Sequence, residues 1–422
     1  MLTLGCPKNS ADSERLAGIL ARAGFVMAEE PSDSDVVVLN TCGFVQSAVE
    51  EGVNAILELE EMKAKGQISA FGVVGCLVNR YGDELKKEFP TADYWAKSEE
   101  WEKLVLDMGA VSLGDGRHIL TRTPWTRYLK VSEGCNCSCS YCAIPSIRGP
   151  LRSRTKEEIW AEAEALIAEG AQEICLVGQE LTDYGSDLYR RRSLTDLLDG
   201  LEERLPQGKW LRLFYLHPSH LDFDLLRRVA ESDKIVPWLD VPIQHVDDTV
   251  LRRMARPPVE EHIRQLFVKG RQLREDFAFR TTVMVGFPGE TEEQFKKLLD
   301  FVDATGFDRL GAFTYSPEEG TPAASFPDQV PEEVKQERFD RLMSLQQQVS
   351  LRRGRAFVGR QMDVLVEEVG DDGSVTGRTF RDAPEIDGVM TVYDCQAKPG
   401  QFIKALVEDS DEYDLYGREV KE

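Results

Sequence analysis

Between Arg127 and Ser316 six strand-length apolar runs alternate with helical stretches, and no other feature restricts the fold as tightly. The runs are RYLKVSEG (127–134), EICLVGQE (173–180), WLRLFYLHP (210–218), WLDVPIQH (238–245), AFRTTVMVGFPG (278–289) and DRLGAFTYS (308–316). Short apolar runs of this kind suit strands buried on both faces. The clearest separator, TKEEIWAEAEALIAEG, opens with a capping box at Thr155 and Glu158 and stops at Gly170. Strands joined through helices run parallel. Six such units predict a partial or complete βα barrel of the TIM-like kind, with its active site at the carboxyl ends of the strands.

The flanking segments differ in character. MLTLGC, SDVVVLNTCGF and AFGVVGCL are strand runs separated by SADSERLAGILARAG, ending at Gly24, and SAVEEGVNAILELEEMKAKG, ending at Gly66. They predict a smaller parallel α/β sheet domain over 1–110. Residues 110–125, AVSLGDGRHILTRTPW, read as a linker. The barrel unit spans 121–352 and ends in the long helical stretch after Pro331. From 355 to 422, short strand runs with glycine turns predict a small antiparallel β-barrel, so the chain as a whole is a multidomain α/β protein.

No apolar run approaches the roughly eighteen residues of a membrane span, and the start lacks a basic n-region and an apolar h-region. The expected location is the cytoplasm, with no membrane partner. Nine cysteines in that compartment stay reduced, and clustered thiols then point to metal or catalysis rather than disulfides. The net charge of −23 repels phosphate and attracts basic partners.

Each of the three early strand runs ends in a cysteine: Cys6, Cys42 and Cys76. Core packing alone accounts poorly for three such endings, although free cysteine is a common core residue. A second group, Cys135, Cys137, Cys139 and Cys142, lies within eight residues after the first barrel strand. Structural zinc normally uses two separated C-x-x-C hooks, and only Cys139–Cys142 forms one, which makes zinc awkward here. As Cys135-x-x-x-Cys139-x-x-Cys142, the loop offers three thiolates to a 4Fe–4S cube and leaves one iron open to a substrate.

At this point the sequence resembles the radical S-adenosylmethionine superfamily, whose hallmark is C-x-x-x-C-x-x-C on that loop. LGCPKN (4–9), NTCGF (40–44) and GCLVNRYGDEL (75–85) narrow the resemblance to its methylthiotransferases, as do LVGQELTDYG, LDVPIQH, TTVMVGFPGETEEQF and FTYSPEEGTPA. GRTFRDAPEIDG resembles their terminal TRAM domain. The resemblance covers essentially the whole chain. It implies that Cys135, Cys139 and Cys142 hold the 4Fe–4S cluster that binds S-adenosylmethionine. Cys6, Cys42 and Cys76 would hold a second, auxiliary 4Fe–4S cluster.

Gly178-Gln179-Glu180 falls where the superfamily meets the methionine amine, usually as G-G-E. The turn from Gly286 to Gly289 is a candidate for close approach to the same cofactor, with a plain βα turn as the alternative. A reducing partner such as flavodoxin or ferredoxin is also implied. Cys137, inside the x-x-x, is expected to point away from the cube. Arg148, Arg152 and Arg154 read as surface arginines, with a carboxylate or cofactor contact as the other option. His217 and His245 read as structural histidines, and Cys175 and Cys395 as core thiols. Two departures stand out: Val246-Asp247 replaces a small residue and serine after Gln244-His245, and only a short run precedes Gly5 to form the first strand.

The methylthiotransferases divide between tRNA adenosine and a ribosomal protein side chain. From Gln361 to Glu422 there are six Lys and Arg against sixteen Asp and Glu. A domain that grips RNA needs a basic face, so tRNA is disfavoured and a basic ribosomal protein favoured. DAPEIDG (382–388) and VEDSDEYDLYG also resemble the RimO-type branch, which modifies the β-carbon of an aspartate in protein twelve of the small ribosomal subunit. In that branch one S-adenosylmethionine supplies the methyl group and another the radical. The tRNA-modifying MiaB type and a radical-free iron–sulfur electron carrier are the alternatives. Nothing in the sequence asks for more than a monomer.

Overall fold

Parallel pairing organises the first three-quarters of the chain. The computed structural model describes residues 1–422 except Asp115, Arg122, Pro258 and Glu422. Two positions of the segment read as a linker and the last residue of the acidic tail therefore lie outside the described residues.

Strands β1 (Leu2–Thr3), β2 (Val36–Thr41), β3 (Ala70–Gly75) and β4 (Tyr94–Ala96) form a parallel sheet in that order. The short start suffices for a two-residue β1, paired to Leu39 and Asn40. Alternation along β2 and β3 sends Val37, Leu39, Phe71 and Val73 to one face and Val38 and Val74 to the other. The first set packs on the helices Gln46–Ala64 and Cys76–Glu88, the second on Pro7–Arg22 and Trp101–Asp107.

The central unit contains β5 (Thr126–Lys130), the small antiparallel pair β6 (Ser132–Glu133) and β7 (Arg152–Ser153), β8 (Glu173–Val177), β9 (Trp210–Leu213), β10 (Ile235–Asp240), β11 (Ala278–Val285) and β12 (Arg309–Thr314). Its six-stranded sheet runs β12-β11-β10-β9-β8-β5, parallel at every pair. Chain order is kept across the sheet, and β5 and β12 remain its two edges, so the barrel is partial. Ile174, Leu176, Leu211 and Leu213 face the outer helices in the largest core. Between them, Cys175, Val177, Phe214 and Trp238 face inward, where they meet Tyr128 and Ala278.

Two other parts of the chain reach that inner cluster: Ala11 of helix Pro7–Arg22 and Ala383 of the carboxyl-terminal domain. Arg117 ties the intervening segment to both of its neighbours. Arg117 donates to the Tyr128 carbonyl (2.8 Å) and pairs with Glu162 (3.0 Å) and Glu14.

The last five strands, β13 (Gln361–Val369), β14 (Val375–Arg378), β15 (Met390–Tyr393), β16 (Phe402–Ser410) and β17 (Leu415–Glu419), close into a barrel. Its pairs are antiparallel except β15–β17. Cys395 lies in its core, as Cys175 lies in the inner cluster of the sheet.

The segment joining β14 to β15 does not face solvent as a free acidic loop. It seals the floor of the partial barrel at the strand starts. Arg378 pairs with Glu173 (2.8 Å), which also holds Arg212 (2.6 Å), and Arg212 donates to the Phe380 carbonyl (2.8 Å). Asp382 takes Arg309 (2.5 Å), and Asp308 takes Arg271 (2.9 Å), Arg353 (3.1 Å) and Arg381 (3.4 Å). Asp387 lies 3.5 Å from Arg280. Two acidic residues of DAPEIDG are thus spent inside the molecule.

Candidate active site: two cysteine groups joined by a buried arginine

The three early cysteines gather because their strands are parallel neighbours. Cys6 caps helix Pro7–Arg22, Cys42 follows β2, and Cys76 opens the helix after β3. A Cβ placed on Gly5 would stand 2.8 Å from the Cys42 Cβ and 3.3 Å from its sulfur. One on Gly43 would stand 3.1 Å from the Cys76 carbonyl carbon. Glycine at these positions lets the cysteine turns touch.

Asn9 laces the turns together. Its Nδ2 donates to the carbonyls of Leu4 (2.8 Å) and Thr41 (3.1 Å), and Asn40 donates to the Asn9 carbonyl (3.1 Å). Burial raises the Cys42 thiol and pushes Cys76 up to about 11, while Arg148 and each other's charge modulate it. Three thiols brought together on neighbouring turns, two of them (Cys42 and Cys76) raised by burial, suit a metal cluster, which takes thiolates as ligands. The donor set therefore fits the implied group.

The second group sits on the loop after β6. Ser140 anchors it: its N–H donates to the Met254 carbonyl (2.9 Å) and its hydroxyl to that of Arg253 (2.8 Å). The Cys135 N–H donates to the Gly149 carbonyl (3.2 Å). Burial pushes the Cys142 thiol up to about 12, with Cys139 and Cys135 adding to it. Arg256 is held by the Pro242 (2.8 Å) and Ile243 (3.0 Å) carbonyls, and Tyr141 and the nearby Cys139 favour its charge.

Cys137 lies beside Cys135. Its backbone N–H approaches the Cys135 sulfur at 3.4 Å, and the neighbouring Cys137 groups bring that thiol down to about 7.

Arg148 corrects the surface reading most sharply. It is 4 % exposed, and its Nε donates to the Cys76 sulfur at 3.1 Å. Its other donors reach Asn9 Oδ1 (2.7 Å), Asp12 (3.1 Å) and Glu133 (3.0 Å). Arg152 is exposed and pairs with Glu99, as a surface arginine should. Arg154 lies between these cases, bound to the Lys130 carbonyl (2.7 Å) and Glu162 (2.6 Å). Glu133, just ahead of the cysteine loop, also takes Lys130 (2.9 Å), Gln179 (2.6 Å) and the Gly134 N–H (3.2 Å). Burial alone would raise its carboxyl, but Lys130 and Arg148 outweigh it and hold it at about 2.

Gly178 lies against the loop, where a Cβ would meet the Ser132 hydroxyl at 2.7 Å. Glu180 follows beside it. Its carboxylate accepts from the Thr182 N–H (2.7 Å) and faces His220 (3.2 Å). Gly286 and Gly289 have packing reasons of their own: Lys335 and Arg253 occupy the space their Cβ atoms would need. His245 is buried and held neutral at about 3, its Nδ1 accepting from the Asp247 N–H (2.9 Å). Asp247, one of the departures, caps the following helix through Thr249 (2.9 Å) and Val250 (3.3 Å).

Glu290 ends the glycine turn. Burial pushes its carboxyl up to about 7, against the pull of Arg338 and the Gly286 and Phe287 N–H groups. The folded protein therefore holds this proton more tightly than the unfolded chain. The resulting stability is full below about pH 4.5 and is lost as pH rises to about 7, roughly 3 kcal/mol in all. Glu290→Gln should flatten that loss in urea titrations at pH 5 and pH 8.

Sequence reasoning missed Asn9, Glu133 and Arg256, and read Arg148 as a surface arginine with a carboxylate or cofactor contact as the other option. Asn9 and Glu133 flank quoted cysteines closely enough to have drawn notice. Arg148 carries no local signal, because Cys76, Asp12 and Asn9 lie far along the chain, and Arg256 binds backbone carbonyls, which no side-chain pattern marks.

Comparison with known proteins places these features. The family models that match are the uncharacterized protein family UPF0004 over residues 1–97, the Radical SAM superfamily over 129–302 and the TRAM domain over 358–420. Among curated relatives, the ribosomal protein uS12 methylthiotransferase RimO of Syntrophotalea carbinolica is 42 % identical, across all of this chain and 96 % of its own. The RimO proteins of Aquifex aeolicus (42 %) and Pelotomaculum thermopropionicum (43 %) also match all of this chain, over 97 % and 98 % of theirs. A solved structure, the radical S-adenosylmethionine methyltransferase TsrM of Kitasatospora setae, shares the fold at 16 % identity and a TM-score of 0.51. That match covers 66 % of this chain and 62 % of TsrM. With identity above 40 % over its whole length and the Radical SAM core in its centre, the chain belongs to the RimO family of radical S-adenosylmethionine methylthiotransferases, enzymes built around S-adenosylmethionine and a 4Fe–4S cluster.

Proposed function

We propose that this chain attaches a methylthio group to the β-carbon of an aspartate in ribosomal protein uS12, using two 4Fe–4S clusters. The observation that carries the reading is the pair of cysteine groups, one at the strand ends of the amino-terminal sheet and one on the loop between β6 and β7, with buried Arg148 bound to Cys76 and to Glu133 at the root of that loop. Cys135, Cys139 and Cys142 hold the cluster that meets S-adenosylmethionine, and Cys6, Cys42 and Cys76 hold the auxiliary one. When bound, these groups supply the methyl group, the sulfur and the radical that opens the C–H bond.

The chain's own residues position and shield. Glu133 fixes Gln179 and the start of the cysteine loop, while Gly178, Gln179 and Glu180 present the strand end to the cofactor. Gly286 and Gly289 keep the facing turn close. Ser140 and Arg256 hold the loop against the next strand ends.

The relatives' name supports uS12 as the substrate. So does charge: Glu368, Asp371 and Asp409 remain exposed on the carboxyl-terminal barrel, which would repel a tRNA backbone and attract a basic protein. A monomer working in the cytoplasm with a flavodoxin- or ferredoxin-like reductant completes the proposal. No helix among the described residues is long and apolar enough to cross a membrane.

Anaerobic reconstitution with iron and sulfide, then reductant and S-adenosylmethionine, should release 5′-deoxyadenosine. Mass spectrometry should find methylthio on added uS12 and none on added tRNA. Modified tRNA with unmodified uS12 would reverse the substrate assignment, and absence of 5′-deoxyadenosine would remove the radical step.

A further inference from the structure

A side chain of the central unit hydrogen-bonds a sulfur of the amino-terminal group across the domain boundary. Arg148 ends the short helix Ile144–Arg148 of the central unit, yet its Nε donates to the Cys76 sulfur at 3.1 Å. The contact is enclosed: Arg148 is 4 % and Cys76 6 % exposed, and Cys76 packs on Ala143 and Ile147 of the same short helix. Neighbouring bonds fix the guanidinium. Nη2 donates to Asn9 Oδ1 (2.7 Å), and Nη1 is shared between Asp12 (3.1 Å) and Glu133 (3.0 Å). Asn79, three residues after Cys76, adds a parallel tie to the Ile147 carbonyl (2.8 Å).

Hydrogen bonds to ligand sulfur and nearby positive charge both draw electron density from an iron–sulfur centre and raise its reduction potential. Second-shell partners also fix a ligand's orientation. Glu133 then continues the connection to Gln179 and the Gly134 N–H at the root of the other cysteine loop. We propose that Arg148 is a positioning residue for the auxiliary cluster, orienting and electronically tuning its Cys76 ligand and linking that ligand through Glu133 to the S-adenosylmethionine side of the site. The inference rests on the two-cluster reading above. It adds a residue that the cysteine pattern does not contain.

The test uses the full chain reconstituted anaerobically with iron and sulfide, with each cluster isolated by serine replacement of the other triplet. With the auxiliary cluster alone, Arg148→Gln and Arg148→Lys should lower its midpoint potential in EPR-monitored redox titration. The expected change is at least tenfold in the oxidised-to-reduced ratio at fixed potential, about 59 mV for a one-electron couple. With the loop cluster alone, the same substitutions should leave its potential in place.

Arg148→Gln leaves Asp12 and Glu133 short of a cation and could unfold the interface. Arg148→Lys keeps a charge for the carboxylates but loses the fork that reaches Cys76. A potential unmoved by Arg148→Lys in a folded, fully loaded protein overturns the proposal and leaves the two-cluster reading intact. A wild-type chain that binds only the loop cluster overturns both. Equal shifts in the two clusters would also overturn it, since a general loosening, not a contact with Cys76, would then be responsible.

Discussion

Replacing Cys139 with serine should strip the loop of its iron and reduce 5′-deoxyadenosine formation by more than a hundredfold. Losing a ligand must cost more than losing a second-shell partner, where the effect is about 10–100-fold. Cys139 is one of the three proposed ligands on a four-cysteine loop whose backbone is fixed at Ser140. Serine keeps the size and removes the soft ligand. Iron analysis of the variant should show one cluster's worth lost and the other retained, because the amino-terminal cysteines stand on a separate sheet.

Cys137→Ser is the matched control. That residue lies beside Cys135 and donates to it, and a serine hydroxyl can take over the donation. Iron content and activity should stay within about twofold of the parent. Loss of iron from Cys137→Ser with retention in Cys139→Ser would mean that the ligand set has been misassigned.

The second large effect concerns stability. Asp308 is fully buried and meets Arg271, Arg353 and Arg381, each on a different segment. Asp308→Asn leaves buried Arg381 and the half-buried Arg271 and Arg353 without their shared anion. Breaking a buried ion pair by removing one partner costs about 3–5 kcal/mol, and urea denaturation near neutral pH should show a loss of that order. The pH dependence follows from the same contacts. Burial alone would raise this carboxyl, but the three arginines hold it below its usual 3.8. Its stabilisation is present above that value and is lost as pH falls below it toward the depressed folded value. Acid unfolding of the Asp308→Asn variant should therefore be shallower than that of the parent.

Much of the architecture could be read from periodicity, and the reasons are local. Runs such as EICLV and VVVLN are buried on both faces of parallel sheets, so their composition alone marks them. The cysteines were visible because each ends a strand or sits on a loop with a fixed spacing. Arg148 was not, since its anions are Asp12, 136 positions earlier, and Glu133 across a turn. The acidic DAPEIDG segment, read correctly for its resemblance, hid its contacts for a related cause. Charge read along the chain suggests solvent and partners, whereas Asp382 is paired with Arg309, 73 positions away. Long-range ion pairs have no sequence period, and this molecule uses them where its domains meet.

The sealed floor of the partial barrel also sets a timetable. Glu173 waits for Arg378 across 205 residues of chain. At about 5–20 residues per second, roughly 10–40 s pass between the synthesis of the two. By the end of that interval all six strands of the sheet have been made, and the cysteine loops can form at the opposite end of the strands. Until then Glu173 has Arg212 and Thr126 but lacks Arg378. The nascent enzyme is thus a bottomless cup, finished at the rim before the base, and a ribosome that stops short of residue 378 releases a molecule with its ligands in place and its floor missing.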